Sequence, residues 1–384
     1  MTSVAPMSAA RRPGFTATGD FVNPSNRIGM DYRAESQAFA RLPHPIIDAH
    51  AHVHGERAAA LLAESMDLYG IRRIHSMTRL EDIPTIRRVL GDRVQFIAVP
   101  DFSSPDRIAA HGRQFLERIR HFHAEGARLC KFWAAPRGID FGAEAGDPTL
   151  LRLDAPHRLA AMDEAASLGM VMMAHVADPD TWFATKYADA SRYGIKRQHY
   201  EPLERLLDRY PNPWMVAHLG GFPEDLAFLS GLLERHPNLH LDASATKWIV
   251  REISRHPRED VVAFLERWRG RILFGSDIVT SEDHLRTGDN KTEMAAKASD
   301  QESAFDLYAS RYWALRTLWE GDWDAESPIS DPDLAMVDPA RHPHDAPPLR
   351  GKRLSPDLLR VLYHDAAAAL LGPVQAAPTP AAER

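Results

Sequence analysis

Two histidines that stand two residues apart give the first indication of chemistry in this sequence. They end the segment Ile46-Ile47-Asp48-Ala49-His50-Ala51-His52, which follows a turn marked by Pro43 and Pro45. Because residues i and i+2 of a strand point to the same face, both imidazoles can reach one metal ion. The spacing alone is weak evidence, since the chain has 19 histidines and the pattern recurs at three other places.

Polar residues also end four later apolar runs. They are Lys131, His175, His218 and Asp277. Each has an ordinary structural interpretation, such as a hydrogen-bonded core histidine, a helix-capping aspartate or a lysine that extends to solvent. Together, four imidazoles and a carboxylate at strand ends that meet at one mouth are the ligand inventory of a metal site.

The elements that must position these residues alternate regularly along the chain. Eight short apolar runs are separated by segments of helical periodicity, which predicts a parallel sheet covered by helices. Eight such repeats predict a closed (β/α)8 TIM barrel that forms a single domain. The runs are 46–51, 71–78, 94–100, 127–133, 170–175, 214–218, 239–243 and 272–275.

Further segments extend beyond a minimal barrel. Residues 1–42 are rich in Ala, Ser, Pro, Gly and Arg and are predicted to be a flexible N-terminal extension. The metal-dependent barrel itself is placed at 43–372, followed by a disordered tail at 373–384. A long insert after strand 8, at 280–353, joins an aromatic helical piece to a Pro/Asp-rich loop. A closing helix is predicted at 355–371, because a capping serine is followed by proline.

The composition limits the classes of partner. A formal charge of −7 and a pI near 6.3 argue against nucleic acid or an anionic membrane as a general partner, since both need a basic face. The single cysteine, Cys130, excludes an internal disulfide and favours a cytoplasmic protein. The sequence contains no run of 18 apolar residues, so no membrane span is predicted. The expected partner is a small-molecule substrate, and a homo-oligomer stays open.

Four motifs in chain order carry a resemblance to a known family. They are Asp48-Ala49-His50-Ala51-His52, Ala217-His218-Leu219-Gly220-Gly221, Pro237-Asn238-Leu239 leading to Asp242-Ala243-Ser244, and Phe274-Gly275-Ser276-Asp277. The set resembles the amidohydrolase-related family of the amidohydrolase superfamily, which includes hydrolases, nonoxidative decarboxylases and hydratases. The sequence departs from the family pattern at Asp365, where the family usually has Asn.

The resemblance implies a divalent metal ion in one of two arrangements. In the mononuclear arrangement, which we favour, the ligands are His50, His52, His175 and Asp277. His218 is then free to polarise the substrate. In the binuclear arrangement, a carboxylated Lys131 bridges two ions, and His175 and His218 hold the second. Zinc is the default ion for such ligands, and manganese or iron stays open.

The catalytic roles follow from the charge of the ion. Asp277 is expected to take the proton of a metal-activated water and to pass it to the leaving group. His218 is expected to donate a hydrogen bond to the developing oxyanion. Asp48 is expected to support the site rather than to bind the ion.

Substrate contacts are expected from cationic and aromatic residues that follow the strands. The candidates are Arg79, Trp133, Arg137, Trp182, Lys247, Trp248 and Arg251. The leading hypothesis is a metal-dependent hydrolase of a C–O or C–N bond in a small organic molecule. The alternative is a metal-dependent nonoxidative decarboxylase of an aromatic or enoic acid. The third is a catalytically inactive barrel that serves as a binding module.

Overall fold

Nine parallel strands form one curled sheet in the computed structural model, which describes residues 23–287 and 295–373. They are β1 (Ile46–His52), β2 (Ile71–Ser76), β3 (Val94–Ala98), β4 (Leu129–Trp133), β5 (Val171–His175), β6 (Trp214–Val216), β7 (Leu239–Ala243), β8 (Ile272–Phe274) and β9 (Ile278–Val279). Strands β1 to β8 lie in sequence order, and β9 pairs with the other side of β1. This α/β arrangement is consistent with the predicted TIM barrel.

The eighth predicted strand, 272–275, corresponds to β8, and the short unpredicted strand β9 follows it and links the two edges of the sheet. β8 pairs with β7 through Phe274 and Ala243, and β9 pairs with β1 through Ile278 and Ala51. Residues 275–277 separate β8 from β9. The chain from β8 to β9 therefore contacts both edges, as closure of a barrel requires, and it places Asp277 between them.

Helices connect the strands and cover the sheet. The first nine are α1 (Tyr32–Glu35), α2 (Glu56–Tyr69), α3 (Ile83–Leu90), α4 (Arg107–His111), α5 (Arg113–Ala124), α6 (Gly138–Glu144), α7 (Pro156–Ser167), α8 (Asp180–Phe183) and α9 (Ala190–Tyr193). They are followed by α10 (Tyr200–Arg209), α11 (Leu226–Arg235), α12 (Thr246–Arg255), α13 (Arg258–Arg267), α14 (Gln301–Glu320), α15 (Asp333–Val337), α16 (Pro356–Arg360) and α17 (Ala366–Leu371). Helix α2 shows the pattern, because Ala59, Leu62 and Met66 recur at helical spacing and are fully buried.

The predicted strand boundaries hold closely, with informative exceptions. β7 has the predicted bounds, whereas β6 ends at Val216, two residues before the predicted end. The reason is local, because His218 takes a φ of 60° that no strand can contain.

The insert after β9 forms ordered structure against the barrel. Helix α14 is buried along most of its length and packs against α2. Further along, β10 (Asp324–Glu326) and β11 (Pro348–Arg350) form an antiparallel pair. The insert therefore includes a long helix that packs on the body of the protein.

Residues 23–42 lie over this helix. Tyr32 is buried, and its ring lies 6.4 Å from that of Trp313. Arg33 bonds Glu64 on α2 and Glu302 on α14. The rest of the predicted flexible extension, residues 1–22, lies outside the described residues, as do residues 374–384 of the predicted tail.

The closing helix begins as predicted. Ser355 accepts the backbone N–H of Leu358, and Pro356 occupies the first helical position of α16. A π-helical turn, Val361–Asp365, then joins α16 to α17. Across 23–287 and 295–373, no helix combines the length and apolar character needed to cross a membrane.

Candidate metal centre

The ends of β1 and β8 bring two imidazoles and a carboxylate together. Asp277 Oδ1 lies 3.3 Å from His50 Nε2 and 3.2 Å from His52 Nε2. His50 is buried, whereas His52 and Asp277 are partly exposed to a cavity above them. One ligand atom from each residue lies within 4.8 Å of the others, a spacing at which one ion can be shared.

Asp242, at the end of β7, orients the imidazole of His50. Its Oδ2 lies 2.9 Å from His50 Nδ1, while its Oδ1 accepts the backbone N–H groups of His218 and Ser244. Burial by itself raises the pKa of Asp242, but the contacts with His50 outweigh it and lower that pKa well below its usual range. Because an ionised carboxylate only accepts hydrogen bonds, the His50 proton lies on Nδ1.

Ser244 fixes the proton of His218 by the same reasoning. Its hydroxyl donates to Asp242, so its oxygen accepts from His218 Nδ1 at 2.8 Å. Burial, together with the neighbouring His175, lowers the pKa of His218 well below its ordinary value. His218 is therefore neutral at physiological pH, with its proton on Nδ1 and a lone pair on Nε2.

Two lone-pair atoms consequently face each other at the centre. His50 Nε2 is buried without a hydrogen-bond partner among the described residues, and burial, together with the charge of Lys131, lowers the pKa of this ring. Burial alone would raise the pKa of Asp277, yet the surrounding imidazoles together hold it far below its usual range. Two acceptors 3.3 Å apart repel each other unless a cation lies between them, so these donors fit a divalent ion.

Backbone strain accompanies the same positions. His218, Ala245 and Asp277 have φ values of 60°, 64° and 58°, a region that residues other than glycine rarely adopt. Gly275 permits a close approach of strands, because a Cβ there would lie 3.1 Å from the Cβ of His50 and 3.0 Å from that of Ser244. The strand ends are thus shaped to present side chains into the centre.

Asp48 supports the centre from below. Residues 48, 50 and 52 share one face of β1, but hydrogen bonds engage both oxygens of the Asp48 carboxylate. It accepts the backbone N–H groups of His50 and Ser276 and the hydroxyls of Ser276 and Tyr312. Burial raises the pKa of Asp48 to about 7. The Tyr312 contact also ties the insert helix α14 to the end of β1.

Lys131 and His175 border the same cavity but are not drawn into the close group. Lys131 is buried on β4, makes no hydrogen bond to any part of the described chain, and has a pKa lowered to about 8 by burial. His175 Nε2 lies 2.8 Å from Asp178 Oδ1, and its ring centre is 4.6 Å from that of His218. The roles assigned to both residues from the sequence stay predictions.

The metal-site cavity has a volume of about 450 Å³ and an apolar wall. Besides the residues of the centre, it is lined mainly by aromatic and aliphatic side chains, namely Met77, Phe102, Trp133, Phe141, Leu150, Leu151, Trp248 and Val279. Trp248 is fixed by its indole N–H, which donates to Asp333 Oδ2 at 3.0 Å. Trp133 and Trp248 both line this cavity, and their contact with a substrate stays a prediction.

Three cationic candidates lie elsewhere. Arg79 does not line the cavity, because its guanidinium bonds Asp82 on the exposed surface. Arg137 is exposed and lies 5.0 Å from the ring centre of Phe141, outside the cavity wall. Arg251 is buried in ion pairs with the insert and does not line the metal-site cavity.

Lys247 lines a neighbouring cavity instead, together with Trp248 and Asp277.

Two residues that position the imidazoles, Asp242 and Ser244, received no role from the sequence. The signal was present, since Asp242 is the polar residue near the end of the seventh apolar run. The aromatic lining residues Phe102 and Phe141 carried no such signal, because they lie on loops and a short helix.

The amino-acid sequence matches the family model described as Amidohydrolase over residues 47–372. A search of curated proteins found no match to this amino-acid sequence.

Solved structures with a similar chain course include three bacterial proteins. A dihydroxybenzoic acid decarboxylase from Polaromonas sp. JS666, with bound manganese and the inhibitor 2-nitroresorcinol, is 14% identical, with a TM-score of 0.40 over 69% of this chain and 97% of that one. A 5-carboxyvanillate decarboxylase from Novosphingobium aromaticivorans DSM 12444, complexed with manganese, is 12% identical, with a TM-score of 0.41 over 80% and 78%. A protein from Lactobacillus casei ATCC 334, named for a proposed metal-dependent hydrolase activity, is 12% identical, with a TM-score of 0.44 over 88% and 96%. At such identities the likeness does not transfer chemistry to this chain.

Proposed function

We propose, from the premise that this chain belongs to the amidohydrolase family, that it is a metal-dependent hydrolase of a C–O or C–N bond in a small organic molecule. The observation that carries the proposal is the pair of acceptors His50 Nε2 and Asp277 Oδ1, 3.3 Å apart at the floor of the metal-site cavity. A bound divalent ion lowers the pKa of a coordinated water from about 15.7 towards about 7, which supplies a nucleophile at neutral pH.

The residues that would hold the ion are His50, His52 and Asp277, with His175 as the expected fourth. Because Asp178 engages its Nε2, His175 would bind the ion through Nδ1 or after release of that contact. His218 Nε2 offers a lone pair at the same centre without such a change. Zinc suits these ligands, and manganese and iron accept the same donors.

Asp277 and His218 handle the protons. Asp277 faces the centre as an ionised carboxylate, so it can take a proton from the attacking water and pass it to the leaving group. His218 is a neutral ring with its lone pair on Nε2, and in that state it accepts a proton rather than donating one. The contacts thus favour His218 as a proton acceptor over the oxyanion donor expected from the sequence.

Metal analysis with a substrate panel tests the proposal. We expect about one divalent ion per chain and hydrolysis of at least one lactone, ester or amide by the metal-loaded protein. Asp277→Asn should lower kcat by about 10²-fold or more while keeping much of the metal, because asparagine ligates but is no base at neutral pH. Asp260→Asn, on the exposed face of α13, is the matched control. Purified protein with less than about a tenth of an ion and no gain of activity on adding zinc or manganese contradicts the proposal.

One observation favours the decarboxylase as a second candidate. Lys131 lies in the wall of the cavity, and its amine has no hydrogen-bond partner in the described chain. A substrate carboxylate could form an ion pair with this amine. Release of CO₂ from aromatic acids, with no hydrolysed product from esters or amides, would favour this candidate. Lys131→Met also tests the number of ions per chain. If Lys131 bridges two ions, the wild-type protein should hold about two ions and the variant fewer.

A further inference from the structure

A second cavity of about 500 Å³ adjoins the metal-site cavity. The two share three lining residues, Trp248, Asp277 and Val279. Its other walls come from the start of α12, from α14 of the insert, and from Pro24 and Ser25 before α1. We call it the cationic cavity, for the charges described next.

Positive groups dominate this lining. Lys247 from α12, Arg311 from α14 and Lys297 contribute them. Arg311 Nη1 donates to two neutral hydroxyls, Ser25 Oγ at 2.7 Å and Ser310 Oγ at 2.9 Å. In the described chain neither Lys247 nor Arg311 forms an ion pair, and burial lowers the pKa of Lys247 to about 8. Cations that burial disfavours and no carboxylate neutralises are costly to keep without a purpose.

The nearby acids are engaged elsewhere. Asp331 and Asp333, whose charges reach Lys247, both bind the guanidinium of Arg251. Asp277 is the acid that the described lining contains, and its Oδ1 lies against His50 and His52. The charges of Lys247 and Arg311 are therefore available to an incoming anion.

The backbone adds a second preference for anions. Helix α12 is ten residues long, and its start, from Ala245 to Trp248, lines the cavity. No described side chain caps its first turn, so the N–H groups of that turn remain open to a ligand. The N-terminus of a helix favours negative charge through these groups and its dipole.

We propose that the substrate carries, besides the reacting bond and an apolar portion, an anionic group that Lys247, Arg311 and the first turn of α12 bind. This inference rests on the proposed function and names its substrate class. The apolar portion would lie against Trp133 and Phe141 in the metal-site cavity, and the reacting bond at Asp277 between the two cavities. Either a carboxylate or a phosphate suits these donors.

Binding of three simple probes to the metal-loaded protein tests this assignment. They are 3-phenylpropanoate, 2-phenylethyl phosphate and the neutral 3-phenylpropanamide, measured by calorimetry on wild type, Lys247→Met, Arg311→Met and Lys186→Met. Lys186 is the control, because its amine lies over the Trp182 ring outside both cavities. We expect one or both anions to bind, with affinity at least about tenfold weaker in the first two variants and unchanged in the control. The amide should bind weakly and equally to all four proteins.

The comparison of the two anions identifies the source of the anionic group, and the remaining outcomes decide the proposal. Equal anion affinity in all four proteins overturns it, and so does an equal loss for the amide, which would indicate a structural role for the lysine or arginine. Thermal unfolding should show no destabilisation in Lys247→Met, since no ion pair is lost. Anion binding in a protein that hydrolyses nothing would refute the proposed function alone, whereas hydrolysis with unchanged anion affinities would refute this inference alone.

Discussion

The metal centre and the cationic cavity share Asp277 but treat charge in opposite ways. In the metal centre, Asp242 accepts from the rings or backbone around it, and the lone pairs of His50 and Asp277 are left facing one point. In the cationic cavity, Lys247 and Arg311 form no ion pair with a described carboxylate. The metal centre therefore lacks a cation, and the cationic cavity lacks an anion. Each site thus selects a ligand of the charge that its own side chains do not provide.

Replacing His50 by Ala should have the largest effect, because it removes a ligand whose Nδ1 is already fixed by Asp242. We expect bound metal to fall below about a tenth of an ion per chain, and activity to be lost with it. Elemental analysis of the purified variant measures the first, and turnover of the best substrate the second.

His240→Gln is the control for this change. His240 lies on the same sheet, two residues before Asp242, and its Nδ1 contacts the carbonyl of Trp214 rather than the centre. It should keep the wild-type metal content. Wild-type metal content in His50→Ala would remove the basis of the proposed centre.

Arg251→Met contrasts a paired buried cation with the unpaired Lys247. Arg251 binds Glu252, Asp331 and Asp333, so its loss leaves the buried Asp331 and Asp333 without a cation and should cost about 3–5 kcal/mol of folding free energy. Urea unfolding measures it. Arg255→Met should cost about 0–1 kcal/mol, because that side chain is 72% exposed and holds only the far oxygen of Glu252. A cost for Lys247→Met as large as that for Arg251→Met would erase the contrast between the two cations.

Asp242→Asn tests how far the metal centre depends on orientation. Asparagine keeps the volume but presents one acceptor and one NH₂ group, so it cannot accept from both His50 Nδ1 and the Ser244 side. Metal affinity should fall by about 10- to 100-fold, the usual scale for a partner that orients a ligand. Competition with a chelator measures the affinity, and an unchanged value would show that His50 needs no such partner.

Much of the metal centre could be predicted because His50, His218 and Asp277 each lie at the end of an apolar run or just after it. The apolar run before His50, and those before His218 and Asp277, fix the strands, and barrel geometry then brings their ends to one mouth. The family resemblance drawn from these motifs is confirmed by the match over residues 47–372. What the sequence could not give was the proton arrangement, because it depends on Asp242 and Ser244 meeting two rings at hydrogen-bond distance.

The cationic cavity could not be predicted from the sequence, for a different reason. Its assembly joins Arg311 to Ser25, which are 286 residues apart, and no periodicity relates a helix of the insert to a turn near the N-terminus. Lys247 could be proposed because it follows a strand, but its lack of an acidic partner is a property of the packing around it. The insert, which has no strand-end motif, could only be located and not interpreted.

The smallest expected effect is a pH dependence that belongs to the cationic cavity. Burial, followed by the charge of Arg311, lowers the pKa of Lys247 to about 8. Below that pH the ammonium is present and anion affinity is constant; above it the dissociation constant of 3-phenylpropanoate should rise by at most about tenfold per pH unit. The other charges that face Lys247 do not mimic this up to about pH 9, since burial lowers the pKa of Arg311 only to about 10, Lys297 is exposed, and Asp331 and Asp333 stay paired with Arg251. Because the carboxylate of the probe is ionised throughout, the rise reports the protein. Lys247→Met should give a flat profile at weaker affinity, and a rise that persists in this variant would assign the titration to the metal centre instead of the cationic cavity.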